Sequence, residues 1–334
     1  MLTINRTIFA LMLASLALGG CINSTDYEPP RLADGKPDLQ GVWTNVSLTS
    51  LTRPSRYDSL TVSPEEAQRI EQMTAERARR GLQPTDPNAP PPTSGGGVGG
   101  YNSFWADAGS RLAMINGEYR TSWIVDPADG QLPYRKEGLE IFERKRDEAR
   151  NNFDGPEIRA MPERCIIGFG STGGPPMLNV MYNNNYQIVQ GPDTVMILVE
   201  MNHDARIIRM NGEHRPDSMR PWLGDSIGWW EDDTLVIETT NFNPGEELRL
   251  FFASSFYISP DAVVTERLTR ISDTEMFYQF EVEDPDIYRQ PWRAEMVFNA
   301  TDGPVYEYAC HEGNYALPNI LGGARREERE AAEE

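Results

Sequence analysis

The chain is short of the residues that most often carry chemistry. It holds three histidines, three cysteines and only three lysines, Lys36, Lys136 and Lys145. With no H-E-x-x-H and no C-x-x-C, neither common zinc signature is present, and no metal site is expected. A phosphate-binding loop is missing too. The G-G-G-V-G-G of 95–100 follows the Pro-rich D-P-N-A-P-P-P-T-S, not a strand, and no G-K-[ST] comes after it. The letters G-D-S-I-G at 224–228 open a strand instead of forming the strand-to-helix elbow of a serine hydrolase. No cofactor signature appears, and none is expected. No apolar run approaches the roughly 20 residues that span a bilayer. Thirty-one basic residues face 51 acidic ones, for a net charge of −20 without a basic stripe. That balance excludes nucleic acid and anionic lipid surfaces as partners.

What the chain does have begins at its first residues. Arg6 precedes an apolar run from Ile8 to Leu18, the length of a signal-peptide core. The ending L-G-G-C, Leu18 to Cys21, resembles the lipobox of bacterial lipoproteins. That resemblance implies removal of residues 1–20, a lipid on Cys21, and a protein held by it on the periplasmic side, at the outer membrane. With Cys21 so occupied, Cys165 and Cys310 remain in an oxidising compartment. One disulfide is the simplest outcome. A reactive Cys310 thiol activated by His311, or two free thiols, are the alternatives.

Hydrophobic residues at 39% and charged residues at 25% allow a sizeable core. A lipidated, Pro-containing tether fills 21–37, and one domain is expected over 38–320. Ser63-Pro64-Glu65-Glu66 reads as a capped helix start, predicting a helix over about 63–81. A flexible Gly/Pro loop follows at 83–100, a charged surface helix over about 137–151, and a charged tail at 321–334. From Tyr186 onward the apolar period becomes two. Segments such as Y-Q-I-V-Q, T-V-M-I-L-V-E-M, M-F-Y-Q-F-E-V-E, W-R-A-E-M-V-F and V-Y-E-Y-A-C read as strands joined by short turn clusters. The expected fold is mainly β: an antiparallel up-and-down barrel or strongly curved sheet, lipocalin-like, with two peripheral helices and an inferred cavity.

Asp38-Leu39-Gln40-Gly41-Val42-Trp43 is similar to the G-x-W opening strand of lipocalin-type (calycin) barrels. H-D-A-R-I-I-R, W-L-G-D-S-I-G-W-W-E-D-D-T-L-V-I-E-T, E-D-P-D-I-Y-R-Q-P-W and Y-A-C-H-E-G-N-Y together resemble a group of secreted bacterial lipoproteins without an assigned activity. The resemblance implies fold and compartment and supplies no mechanism.

All three histidines sit at expected strand ends, beside carboxylates and arginines. Such ends form a barrel mouth, where ligand sites gather. His203 with Asp204, and His311 with Glu312, are the candidate acid/base pairs. Arg206 would hold an anionic or carbonyl oxygen. His214 and Asp225 are further polar candidates, and Trp222, Trp230, Tyr288 and Trp292 candidate ligand-lining aromatics. The bland alternative is that these residues cap strand ends and fill the core. Two function classes compete: a cofactor-free isomerase, lyase or hydrolase acting on a small, partly apolar molecule, and a non-enzymatic small-molecule carrier. Convergence of His203, His311, Arg206 and a carboxylate on one cavity favours the enzyme; dispersal favours the binder.

Overall fold

The computed structural model describes residues 27–83, 107, 109–168, 173–245, 248–251 and 254–333. In chain order its strands are β1 (Gly41–Thr44), β2 (Thr61–Val62), β3 (Met114–Ile115), β4 (Glu118–Arg120), β5 (Ile124–Asp126), β6 (Asn185–Gln190), β7 (Thr194–Val199), β8 (Ala205–Met210), β9 (Asp225–Glu231), β10 (Thr234–Thr240), β11 (Leu248–Phe251), β12 (Ser254–Tyr257), β13 (Val263–Arg270), β14 (Glu275–Glu283) and β15 (Trp292–Ala300). The helices are α1 (Pro64–Gly81), α2 (Lys136–Asn151) and α3 (Ala316–Glu333).

The main sheet runs β1-β6-β7-β8-β9-β10-β13-β14-β15, and β15 returns to pair with β1. The fold is therefore mainly β and closed into a barrel, with β5 paired to the start of the β15 edge whose far end meets β1. Closure removes exposed sheet edges. Strand number also corrects the expectation of a purely antiparallel barrel. Nine strands cannot alternate direction all the way round a ring, so one neighbouring pair must run parallel. That pair is β8–β9 (Arg209 opposite Ile227, Met210 opposite Gly228). A parallel link must travel back along the barrel, and residues 211–224 do so across its outer wall.

The barrel is filled. Trp43, Tyr186, Tyr278, Phe280, Trp292 and Phe298 point inward and are at most 1% exposed. The inward positions expected in β14, from Met276 to Val282, are all buried. Their bulk occupies the space that the sequence suggested as a cavity. Inside the barrel Arg206 pairs with both carboxylate oxygens of Glu266, one at 3.1 Å. Tyr278 donates to the same carboxylate at 2.6 Å and accepts from the Met177 amide. Burial, followed by the Glu266 charge, pushes the Tyr278 hydroxyl well above its usual pKa, so it remains a donor.

Helix α1 starts as its capping residues predict: Ser63 Oγ accepts from the Glu66 amide and proline occupies the first turn. Helix α2 lies where expected and buries Phe142. Two segments differ from expectation. Residues 321–334, expected as a tail, belong largely to α3, whose Arg326–Glu330 pair (2.7 Å) closes one helical turn. Ala, Glu and Arg are strong helix formers, and such pairs add to that propensity. The V-Y-E-Y-A-C segment is not a strand; it is loop and turn. Its place in the ring is taken by β1, the G-V-W-T segment. The expected tether is docked on the barrel from residue 27, with Tyr27 on Asp273 and Arg31 on Asp233. Cys21 and the glycine loop from residue 84 onward lie outside the described residues.

Candidate functional site

The crossover 211–224 and strand β8 enclose a cleft of about 320 Å³ on the outer barrel wall. In a strand, side chains alternate faces. Arg206 and Ile208 point inward, so Ala205, Ile207 and Arg209 face the cleft. Pro221, Trp222 and Leu223 come from the crossover and form the opposing wall.

Asp225, the first residue of β9, fastens that crossover. Its carboxylate accepts from Arg209 at 2.7 and 3.1 Å, from the Arg215 amide at 2.9 Å and from His214 Nδ1 at 3.0 Å. His214 Nε2 reaches Glu238 at 3.0 Å, so the imidazole bridges two carboxylates on adjacent strands. Burial alone would raise the Asp225 pKa. The hydrogen bonds from Arg209, the Arg215 amide and His214 outweigh it and hold the group well below the carboxylate range. Asp225 and His214 thus secure the back of the cleft.

Asp204 is the exception in this well-paired region. It precedes β8 and lines the cleft, yet its Oδ2 is buried with no hydrogen-bond partner among the described residues. A Cβ placed on Gly173 would stand 3.9 Å from that oxygen and 2.9 Å from Leu223. Desolvation raises the Asp204 pKa to about 7, only partly offset by neighbouring His203. A carboxyl so placed changes charge near neutral pH.

The folded state holds the Asp204 proton up to a higher pH than the unfolded chain does. This group's contribution therefore makes stability fall as pH rises from about 4 to about 7, by up to a few kcal/mol, less whatever solvent at its open side screens. Asp204→Asn should flatten that interval of the stability–pH curve and leave the variant at least as stable at pH 8. Urea midpoints measured from pH 4 to 8 check this, and an unchanged slope would show that Asp204 is ionised as usual.

The other expected site residues lie elsewhere. His203 is exposed in a short turn, with φ of 48° following Asn202 at 59°. His311 and Glu312 are exposed on a turn after a loop, not at the strand end expected for them. None of the three histidines lines the cleft. Arg206 reaches it through its backbone, since its guanidinium is inside the barrel with Glu266. Tyr288 and Trp292 form an aromatic cluster with Phe280 and Phe256; Trp292 lies 5.5 Å from Phe280 and 5.9 Å from Tyr288. Trp230 packs on that same core. None of the three lines the cleft: Trp292 and Trp230 hold inward-facing strand positions, Trp230 only partly buried, and Tyr288, at an isolated bridge to Tyr134, is buried against the same cluster.

Of the expected residues, Trp222, Asp204 and Asp225 line the cleft through their own positions, and His214 is bonded to Asp225 behind it. Arg209, Arg215 and Leu223 were not singled out by sequence. The parity of the strand count was the available signal, since an odd ring demands a crossover somewhere. The Cys165–Cys310 disulfide is present, with Cα atoms 5.7 Å apart, and Asn314 donates to both the Glu163 carbonyl and Cys165 Sγ. No protein-family model, curated protein or solved structure matches this chain.

Proposed function

We propose that the chain is a lipid-anchored protein of the bacterial envelope that binds a small, partly apolar molecule in the cleft between β8 and the 211–224 crossover, without catalysing a reaction. The observation that carries this reading is the buried Asp204 carboxyl oxygen, without a hydrogen-bond partner among the described residues, in the wall of a cleft that also offers Trp222 and Arg215. An unpaired polar atom in such a wall is costly unless a partner arrives. A neutral carboxyl can donate to a ligand oxygen, Trp222 gives an apolar face, and Arg215, half-exposed, offers positive charge. Dispersal of His203, His311 and Arg206 favours a binder over an enzyme. Acid/base chemistry keeps one support, the titration of Asp204 near neutral pH; with no histidine in the wall, it would have to carry the proton alone.

Trp222 supplies the test. Small aliphatic and aromatic carboxylic acids titrated into the protein should quench or shift tryptophan emission saturably, and Trp222→Phe should remove most of the response. A response that persists in Trp222→Phe would place the ligand elsewhere.

The anchor is tested separately. Cys21→Ser should move the protein from the membrane fraction to the soluble periplasm and abolish incorporation of labelled palmitate. A variant that stays with the membrane would contradict the lipobox reading.

A further inference from the structure

A second cavity, of about 550 Å³, lies on the outer wall at β14–β15 and shares no lining residue with the Asp204 cleft. Its floor is apolar: Val297 from β15 and Leu112 are buried in it, and Met114, half exposed, extends it. Glu275 and Asn299, cross-strand partners on the outer face of β14 and β15, form one side. Pro64, Gln68 and Glu71 form another; their spacing of four and three places them on one face of α1. Tyr119 and the 111–114 segment close it. That segment is held firmly. The Leu48 amide donates to the Arg111 carbonyl at 2.9 Å, the Leu112 amide to Glu71 Oε1 at 3.1 Å, and the Ala113 amide to Thr49 Oγ1 at 2.9 Å.

The charges around this cavity are of both signs and are not spent on each other. Arg111, Glu71 and Glu275 line it together, yet among the described residues the Arg111 guanidinium comes within 4.0 Å of neither carboxylate. An anion alone would face two carboxylates, and a cation alone would face the guanidinium. A neutral occupant would cover three ions without compensating any. We propose that this cavity is a second binding site, for a small zwitterion of the amino-acid or short-peptide class. Arg111 takes the ligand's carboxylate, Glu275 and Glu71 its ammonium, and the Leu112–Met114–Val297 floor its apolar side chain. The site is independent of the proposed Asp204 ligand.

Titration calorimetry with the dipeptide Leu-Gly, its N-acetyl form and its C-terminal amide tests the assignment. The free dipeptide should bind, and each blocked form should bind about tenfold more weakly or worse, because each loses one charge contact. Arg111→Ala and Glu275→Gln should weaken Leu-Gly to a similar degree, while Asp204→Asn leaves it unchanged. No binding of Leu-Gly at millimolar concentration, equal affinity for the blocked forms, unchanged affinity in Arg111→Ala, or loss in Asp204→Asn would each overturn the proposal.

Discussion

Arg206→Ala is expected to lower the melting temperature by on the order of 10 °C. The pair it breaks is shut inside the barrel, with side-chain exposures of 1% and 0% for Arg206 and Glu266. Among the described residues, removing the guanidinium leaves a carboxylate with no counter-charge and Tyr278 as its one hydrogen-bond partner. A buried pair broken on one side costs roughly 3–5 kcal/mol, far more than an exposed pair contributes. The loss comes from stranding the charge, so removing both partners should cost less. Arg206→Met with Glu266→Leu should therefore recover much of the melting temperature, because two apolar side chains of similar bulk leave no unpaired ion. Thermal melts followed by circular dichroism for the single and double variants check this. Two single substitutions whose effects simply add would contradict it.

Cys310→Ser should produce the other large effect. The bridge closes a loop with a sequence separation of 145. In the chain-entropy account, a loop of that length stabilises the folded state by about 5 kcal/mol through the unfolded chain. The bridge also ties the segment holding His311 to the loop near Cys165. In that loop, Gly168 packs so closely on Met201 that an added Cβ would meet its Cγ at 1.9 Å. Urea unfolding of the wild type with and without reductant, beside Cys310→Ser, should show a much lower midpoint for the reduced protein and the variant. Alkylation of the denatured, unreduced protein should label neither Cys165 nor Cys310. Equal midpoints would show that the reference chain is restricted by something else.

The fold was largely legible because its strongest signals are local. Period-two runs over β6–β10 and β13–β15 mark those strands, and the Ser63-Pro64 start marks α1, whereas the short hairpin β11–β12 was not read. Two failures have physical reasons. The V-Y-E-Y-A-C segment alternates like a strand, but alternation cannot distinguish a strand from a loop held by a disulfide and by Glu200 accepting the Tyr306 amide. The barrel interior looked hollow because half-buried sheets and ligand-lined sheets share one alternation. Only the closed ring reveals that Trp43, Tyr186, Tyr278 and Trp292 point into the same space and fill it.

The candidate site was legible only in fragments. Asp204 stood out beside His203, yet the partner it suggested is exposed and the cleft wall comes from a crossover of different residues. Arg206 shows why strand position outranks charge. One residue further along, its side chain would face the cleft; at its actual position alternation sends it inward to Glu266. Nothing in the sequence around Arg111, Glu71 and Glu275 predicts that they share a cavity, because the three come from three separate elements and their proximity depends on how α1 packs against the barrel.

The decisive experiment is native mass spectrometry of wild type, Asp204→Ala, Trp222→Ala and Arg111→Ala purified from the envelope. A small-molecule adduct is expected on the wild type and on Arg111→Ala, and should be lost or strongly reduced in Asp204→Ala and Trp222→Ala. An adduct carried equally by all four proteins, or none on the wild type after incubation with an envelope extract, would contradict a ligand site at Asp204.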